Sequence, residues 1–388
     1  MRNEESDQPA TSESRDTGIE PESASRHTDQ RSRHPLASPR SEFDFIQHIR
    51  QRALHQGRRA QNSSSLIPHP SSLSLGIGDD AAIIQQQSGR ETVVTTDLLI
   101  EEIDFRLNST TPWLLGYKAL AVSLSDIAAM GARPRYALLS IGIPRQIWDT
   151  NFTDEFYEGF FALAETYRVA LIGGDVSRTP ERIVIDSIVI GEAARGRSVR
   201  RSGARPGDHI FVTGALGGAA AGLRLLERGS RLQTKPSSSS RSQAIEQLIL
   251  RQLRPEPRVP WGALLGEEHL ATAMIDISDG LSSDLAHLCR ESNVGARIDA
   301  ARIPIDPPVI DLCGRRALDP LLLALHGGED FELLFTIRPR DLKWLPQGLG
   351  GVPVTYLGDV TNDAGNIQIT EGTHVWELKP EGFMHFKH

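Results

Sequence analysis

Thr111-Pro-Trp-Leu-Leu-Gly-Tyr-Lys-Ala-Leu-Ala-Val-Ser-Leu-Ser-Asp126-Ile-Ala-Ala-Met-Gly131 carries the marks of one long helix. Thr111 suits the N-cap, Pro112 takes the first helical position, where its missing N–H costs nothing, and Gly131 closes the helix. On a wheel of 100° per residue, Leu115, Ala119, Val122, Ala129 and Met130 form an apolar stripe. Asp126 falls in the middle of that stripe. A lone buried carboxylate is expensive, so it must be protonated, paired or bound to a cation. A partner Arg or Lys and a divalent metal ion are both open at this stage.

Working outward, strands and helices are mixed on both sides. Ser41 to Ile46 reads as a helix start, Leu75 to Ile84 as a turn into a strand, and Thr92-Val-Val-Thr-Thr-Asp97 as a β-branched strand with an acid at its end. Tyr136–Ile143 is a strand. Thr153–Tyr167 is a helix with Phe156, Phe160, Leu163 and Tyr167 on one face. Val169 to Ile172 is a short strand running into Gly173-Gly174-Asp175, and Ile183–Gly191 is another strand. The basic stretch 195–208 reads as a linker. Beyond it come a strand at His209–Thr213 and Gly214-Ala-Leu-Gly-Gly218 opening a small-residue helix. Ile275-Asp276-Ile-Ser-Asp279-Gly280 leads into a helix with Leu281, Leu285 and Leu288 on one face, and Gly327-Gly-Glu-Asp330 precedes a strand at Phe331–Ile337. This predicts a mixed α/β (α+β) enzyme of two domains, residues 41–195 and 196–388, behind a polar tail over 1–40. The tail lacks the apolar content to pack, and the Ser-rich stretches 57–74 and 229–243 read as surface insertions.

Composition narrows the function. Forty-two basic against fifty acidic residues give a net charge of −8, a poor basis for holding a nucleic-acid backbone. No apolar run approaches the ~20 residues of a membrane span. Two cysteines, Cys289 and Cys313, make neither a disulfide framework nor a four-thiolate site, so reduced thiols in the cytoplasm are expected. The tail has no apolar segment of a secretory signal, and its acids argue against a transit peptide.

The acids are the anomaly. Asp80, Asp97, Asp175, Asp276 and Asp279 all stand where an apolar strand meets a Gly-rich turn or a helix start. One such acid is an ordinary cap or turn residue; five, with Asp126 besides, suggest a cluster. Two carboxylates 4 Å apart repel by on the order of 4 kcal/mol at an effective dielectric near 20, which divalent cations relieve. All-oxygen ligands with no His/Cys pattern select Mg²⁺ or Mn²⁺ over Zn²⁺, and Thr95 and Thr96 add oxygens beside Asp97. Mg²⁺ held this way shares its shell with substrate phosphates, so a Mg²⁺-dependent phosphate enzyme is expected. Gly76-Ile-Gly78, Gly173-Gly174, Gly217-Gly218 and Gly327-Gly328 offer backbone N–H groups to phosphate, although each also reads as a plain turn. There is no P-loop motif, no protein-kinase motif pair and no Gly-x-Ser-x-Gly elbow.

At these motifs the chain resembles the thiamine-monophosphate kinase family, within the aminoimidazole-ribotide synthetase-like superfamily. The segments that carry the resemblance are Gly76-Ile-Gly-Asp-Asp80-Ala, Thr95-Thr-Asp97, Lys118 to Ala132, Leu171-Ile-Gly-Gly-Asp175, Arg201 to Asp208, Asp276-Ile-Ser-Asp279-Gly-Leu and Gly327-Gly-Glu-Asp-Phe-Glu-Leu333. The resemblance implies the superfamily's two-domain fold, with N-terminal sheets that pair in a homodimer. It implies ATP-dependent phosphorylation of thiamine monophosphate to thiamine diphosphate with several Mg²⁺ ions. Asp80, Thr95, Thr96, Asp97, Asp126, Asp175, Asp276 and Asp279 would then be metal ligands, and Gly174, Asp175, Arg201 and Ser278 would contact ATP. Glu329 and Phe383 would contact the thiamine moiety, as would Asp104, which stands where many members have a His before Phe. A different acceptor within the superfamily, a Mg²⁺-dependent phosphatase and a non-catalytic thiamine-phosphate binder are the competing readings.

Overall fold

Residues 44–53, 73–75, 77, 83–233, 239–313 and 319–383 are described by the computed structural model. Helix α1 covers residues 44–53. A short antiparallel pair, β1 (Leu73–Leu75) and β2 (Ile83–Ile84), follows. Then come β3 (Arg90–Ile100), α2 (Pro112–Ala129), β4 (Arg133–Pro144), the single-turn α3 (Arg145–Trp148), α4 (Phe152–Tyr167), β5 (Ala170–Thr179) and β6 (Val184–Ala194). Strands β3, β6, β4 and β5 form a four-stranded sheet in that order, with β4 and β5 parallel and the other pairs antiparallel.

Helix α2 forms as its sequence predicts. Thr111 Oγ1 accepts from the Leu114 N–H at 3.2 Å. Gly131, at φ +67°, ends the helix by donating to the Ala128 carbonyl, while Ala132 donates to that of Ile127. The helix is not, however, amphipathic with one buried stripe. It is wrapped by the four-stranded sheet, α4 and elements of the second sheet, so Lys118, Ser123 and Ser125 are buried as well. Asp126 is only half-buried. Glycines let α2 and α4 touch along their backbones: a Cβ on Gly116 would lie 1.8 Å from the Phe156 carbonyl oxygen, and one on Gly159 1.8 Å from that of Trp113. The other face of the four-stranded sheet is covered in part, where Leu73 of β1 and Ile84 of β2 pack on Tyr136, Ala170 and Ile172, and among the described residues it is open at Val94 and Leu98, 61% and 55% exposed.

The second sheet has eight strands. In chain order the elements are β7 (His209–Thr213), α5 (Gly218–Glu227), α6 (Ser240–Leu253), α7 (Val259–Glu267), β8 (Ala271–Asp276), α8 (Leu281–Ser292), β9 (Gly295–Asp299), α9 (Pro307–Cys313), α10 (Pro320–His326), β10 (Leu333–Ile337), β11 (Gly348–Leu349), β12 (Val352–Thr361), β13 (Ile367–Glu371) and β14 (His374–Glu377). The sheet order is β14-β13-β9-β12-β7-β10-β8, with β11 added to β12. Strand alternation gives the sheet two buried faces. Ile210, Val212, Ile275 and Leu334 meet Leu281, Leu285 and Leu288 of α8. Phe211, Met274, Leu333 and Phe335 join the core that contains α2 and α4. That shared core places the C-terminal end of β8 beside α2.

Several expectations change. Gly173-Gly174-Asp175 is not a turn, because β5 runs through it to Thr179. Asp97 is not at a strand end, because β3 pairs on to Ile100. The stretch 57–74 ends in β1, and 229–243 ends in the first turn of α6. Asp80 and the tail over 1–40 lie outside the described residues. Cys289 and Cys313 are buried free thiols. Among the described residues no helix is long and apolar enough to cross a membrane.

Candidate active site

Alternation along β3 turns Thr95 and Asp97 toward the face that α2 covers. Asp126 of α2 accepts a hydrogen bond from Thr95 Oγ1. Ser125 Oγ donates to Asp276 Oδ2 at 2.6 Å, and Asp276 ends β8. Four of the expected ligands, Thr95, Asp97, Asp126 and Asp276, therefore come together from three elements. Burial pushes the Asp97 carboxyl up to about 6, helped by the charges of Asp126 and Asp186 and opposed by the Ser123 hydroxyl. Burial lifts Asp276 to about 7, with Asp126 and Asp97 adding to it and Ser125 and Arg201 opposing. Asp126 is also raised by burial, against the Thr95 hydroxyl and the Arg201 charge. Asp97 Oδ2 is buried without a hydrogen-bond partner among the described residues.

The loop after β8 adds more acid. Asp279 precedes α8, and Asp284 in the first turn of that helix reaches back to accept from the N–H groups of Asp279 (3.1 Å) and Gly280 (3.0 Å). Burial first, then the charges of Asp276 and Asp279, push Asp284 to about 8, while the two N–H bonds oppose the rise. Sequence reasoning missed Asp284. Its signal was a first-turn acid placed to satisfy the orphan N–H groups of a helix start. The Ser278 carbonyl accepts from the Glu329 N–H at 2.8 Å, tying this loop to the 327–332 turn.

Other expected ligands do not join. Thr96 points to the open face of the sheet and donates to Asp186 Oδ1 at 2.6 Å. Asp175 is exposed on that same face, opposite Ser140, which in turn stands opposite Asp186. Three strand spacings separate β5 from β3, roughly 14 Å, so the Asp175 side chain cannot reach the cluster within one chain. Gly174 is where β5 presses on β4: a Cβ there would lie 2.0 Å from the Leu139 carbonyl oxygen. Among the described residues no three His, Cys, Asp or Glu side chains form a ready cage for a metal ion. An open oxygen set that carries an orphaned carboxylate oxygen still suits a hard cation, because such an ion keeps several positions for water and phosphate. Beside the cluster is a cleft of about 490 Å³, lined by Thr95, Asp126 and Asp276 and also by Arg200, Arg201 and Ser202.

A second cleft, of about 190 Å³, is lined by Asp104, Lys118, Leu226, Gln252 and Phe383 among others. Glu329 adjoins it, bonded to both Lys118 and Gln252. The three expected thiamine contacts thus converge; Gln252 is an addition that no motif announced, and Lys118, the first residue of the Lys118–Ala132 segment, gains a place that the segment did not assign it. Asp104 Oδ2 accepts from the Ile100 N–H at 2.8 Å, so this carboxylate caps its own turn. The turn before α5 offers phosphate little. Its Gly217 and Ala219 N–H groups are taken by buried Asp330, whose neighbour Glu332 is clamped by Arg258 and Arg251.

Residues 78–193 match the AIR synthase related protein N-terminal domain, and residues 205–369 the corresponding C-terminal domain. The chain is 37% identical to the thiamine-monophosphate kinase of Bacillus subtilis strain 168, over 89% of this chain and 99% of that one. The crystal structure of thiamine-monophosphate kinase from Stenotrophomonas maltophilia K279a is similar at a TM-score of 0.71 and 37% identity, covering 87% of this chain and 99% of that one. AaThiL complexed with AMPPCP and TMP is similar at a TM-score of 0.66 and 30% identity, covering 90% of this chain and all of that one.

Proposed function

This chain belongs to the thiamine-monophosphate kinase family of AIR synthase related proteins, and on that premise we propose that it transfers the γ-phosphoryl group of ATP to thiamine monophosphate, giving thiamine diphosphate and ADP. The observation that carries this reading is the pair of clefts along α2. Asp126 stands at the acidic cleft and Lys118 at the other. Eight residues of helix separate them by roughly 12 Å, the scale of a phosphate ester reaching from a ring pocket to a nucleotide's phosphates.

The nucleophile is an oxygen of the substrate's own phosphate, ionised at neutral pH, so no general base is needed. It attacks the γ-phosphorus in line, the bond to the β-phosphate oxygen breaks, and the electron pair leaves with ADP. Such transfer depends on positioning and charge neutralisation. Asp97, Asp126 and Asp276, with the Thr95 oxygen and Asp279 in the loop after β8, are the residues that would hold Mg²⁺; Asp80, the further ligand expected from the sequence, lies outside the described residues. When bound, Mg²⁺ neutralises the charge of the two polyanions. Arg201, which lines the same cleft, binds phosphate oxygens, and the Ser278 loop borders the nucleotide; Gly174, on β5 beside Asp175, does not reach that cleft within one chain. Asp104, Glu329 and Phe383 hold the thiamine moiety.

Thr96 and Asp175 belong to the open sheet face. We assign that face to a homodimer in which paired sheets cover Val94 and Leu98, with residues 41–195 and 196–388 as the two domains of each protomer, acting in the cytoplasm. The test is a product assay with ATP, Mg²⁺ and thiamine monophosphate beside free thiamine. Thiamine diphosphate and ADP should form in equal amounts from the monophosphate only. Turnover of free thiamine with none of the monophosphate, or steady phosphate release without acceptor, refutes the proposal.

A further inference from the structure

Lys118 is a cation with only 3% of its surface exposed, in the middle of α2. Its Nζ lies 2.8 Å from Glu329 Oε1 and 2.9 Å from Oε2. Gln252 of α6 donates its Nε2 to Glu329 Oε2 as well, which fixes the amide, since the opposite orientation would set its oxygen against a carboxylate. The Gln252 oxygen is then left buried without a partner among the described residues. A buried ion pair is weak support for stability, and an orphaned amide oxygen is a cost, so stability is a poor reason for this arrangement. The turn being held is also strained, with Glu329 at φ +65° and Phe331 at φ +51°. Backbone strain of this kind collects at ligand clamps.

We propose that Lys118 is a positioning residue for the acceptor: with Gln252 it fixes the Glu329 carboxylate at the wall of the ring-binding cleft, and so sets how tightly the thiamine moiety is held. The inference rests on the reading of Glu329 as a substrate contact. The acid cluster begins eight residues further along α2, at Asp126, so phosphoryl transfer itself is spared.

Steady-state kinetics of Lys118→Met, Gln252→Ala and Glu329→Gln with ATP, Mg²⁺ and thiamine monophosphate test this. Lys118→Met should raise KM for thiamine monophosphate tenfold or more, leaving kcat within threefold and KM for ATP within twofold of wild type. Lys118→Arg should recover most of that loss. Added to Glu329→Gln, Lys118→Met should change KM less than twofold further. If Lys118→Met does not fold, Gln252→Ala carries the test, with an expected three- to tenfold rise in the same KM alone. Glu329→Gln with unchanged KM overturns the substrate contact itself. A raised KM in Glu329→Gln with wild-type values in Lys118→Met and Gln252→Ala overturns only the positioning role. A parallel loss in kcat and both KM values makes Lys118 a structural residue and overturns it too.

Discussion

Asp126→Asn removes one charge from the acid cluster and keeps its size. In the fold, Asp276 titrates at about 7 and Asp97 at about 6, against an ordinary 3.8. Between those values the folded state holds more protons than the unfolded one, so stability present in acid is lost as pH rises. For Asp276 alone, that rise from its ordinary value corresponds to on the order of 4 kcal/mol. Asp126 is the largest contributor after burial. Two carboxylates about 5 Å apart repel by roughly 3 kcal/mol at an effective dielectric of ~20. The substitution gives some of this back through a weaker bond from Thr95 and the lost attraction of exposed Arg201, about 1 kcal/mol together. Metal-free Asp126→Asn should therefore be more stable than wild type by about 1–2 kcal/mol at pH 8, a rise of roughly 1–3 °C in Tm for a chain of 388 residues. At pH 5, where Asp97 and Asp276 are protonated, the gain should shrink toward zero. With Mg²⁺ and ATP the order should reverse, and turnover should fall tenfold or more, which is ~1.4 kcal/mol or above. Calorimetric melts in EDTA at pH 5 and 8, and with Mg²⁺–ATP, read all three effects. A variant that melts several degrees lower in EDTA and keeps normal Mg²⁺-dependent turnover would make Asp126 a structural residue and refute the reasoning.

Incubation with γ-labelled ATP and no acceptor should leave the protein unlabelled, because the nucleophile is the substrate phosphate; a stable aspartyl-phosphate counts against the mechanism. Asp284→Ala strips the Asp279 and Gly280 N–H groups of their buried acceptor. Each such loss costs ~1–3 kcal/mol, so calorimetry should show a Tm several degrees lower at pH 5, where no carboxylate repulsion is relieved in exchange; an unchanged Tm there means the loop holds itself. Leu98→Arg puts a charge on the exposed part of that sheet face; on the proposed pairing, sedimentation should find wild type dimeric and this variant monomeric, whereas a dimer of undiminished affinity places the interface elsewhere.

The local grammar of the chain was legible because its causes are local. The α2 boundaries follow from Thr111, Pro112 and Gly131, and α8 from the spacing of Leu281, Leu285 and Leu288, all fully buried. The acids stood out by type and neighbourhood, and four of the expected ligands and all three expected thiamine contacts do converge. What stayed hidden depends on partners distant in the chain. Lys118 and Glu329 are 211 residues apart, and Thr213 and Glu332 are 119. No periodicity reports such pairs.

The division of Thr95-Thr96-Asp97 shows the limit most sharply. The three residues look like one ligand set in sequence, but a strand sends neighbours to opposite faces. Thr95 and Asp97 go to the cluster under α2, and Thr96 goes to Asp186 on the open face, where Asp175 also stands. A string of letters does not say which face is covered; that is decided by where α2 packs. Helix α2 packs on the Asp97 side because Gly116 admits the α4 backbone and because Ser123, Ser125 and Asp126 find Ser187, Asp276 and Thr95 there. A second protomer laid on the other face would give Thr96 and Asp175 the covering that α2 gives Asp97. The parity of one strand thus divides the acids between a site inside the chain and a surface that calls for a partner.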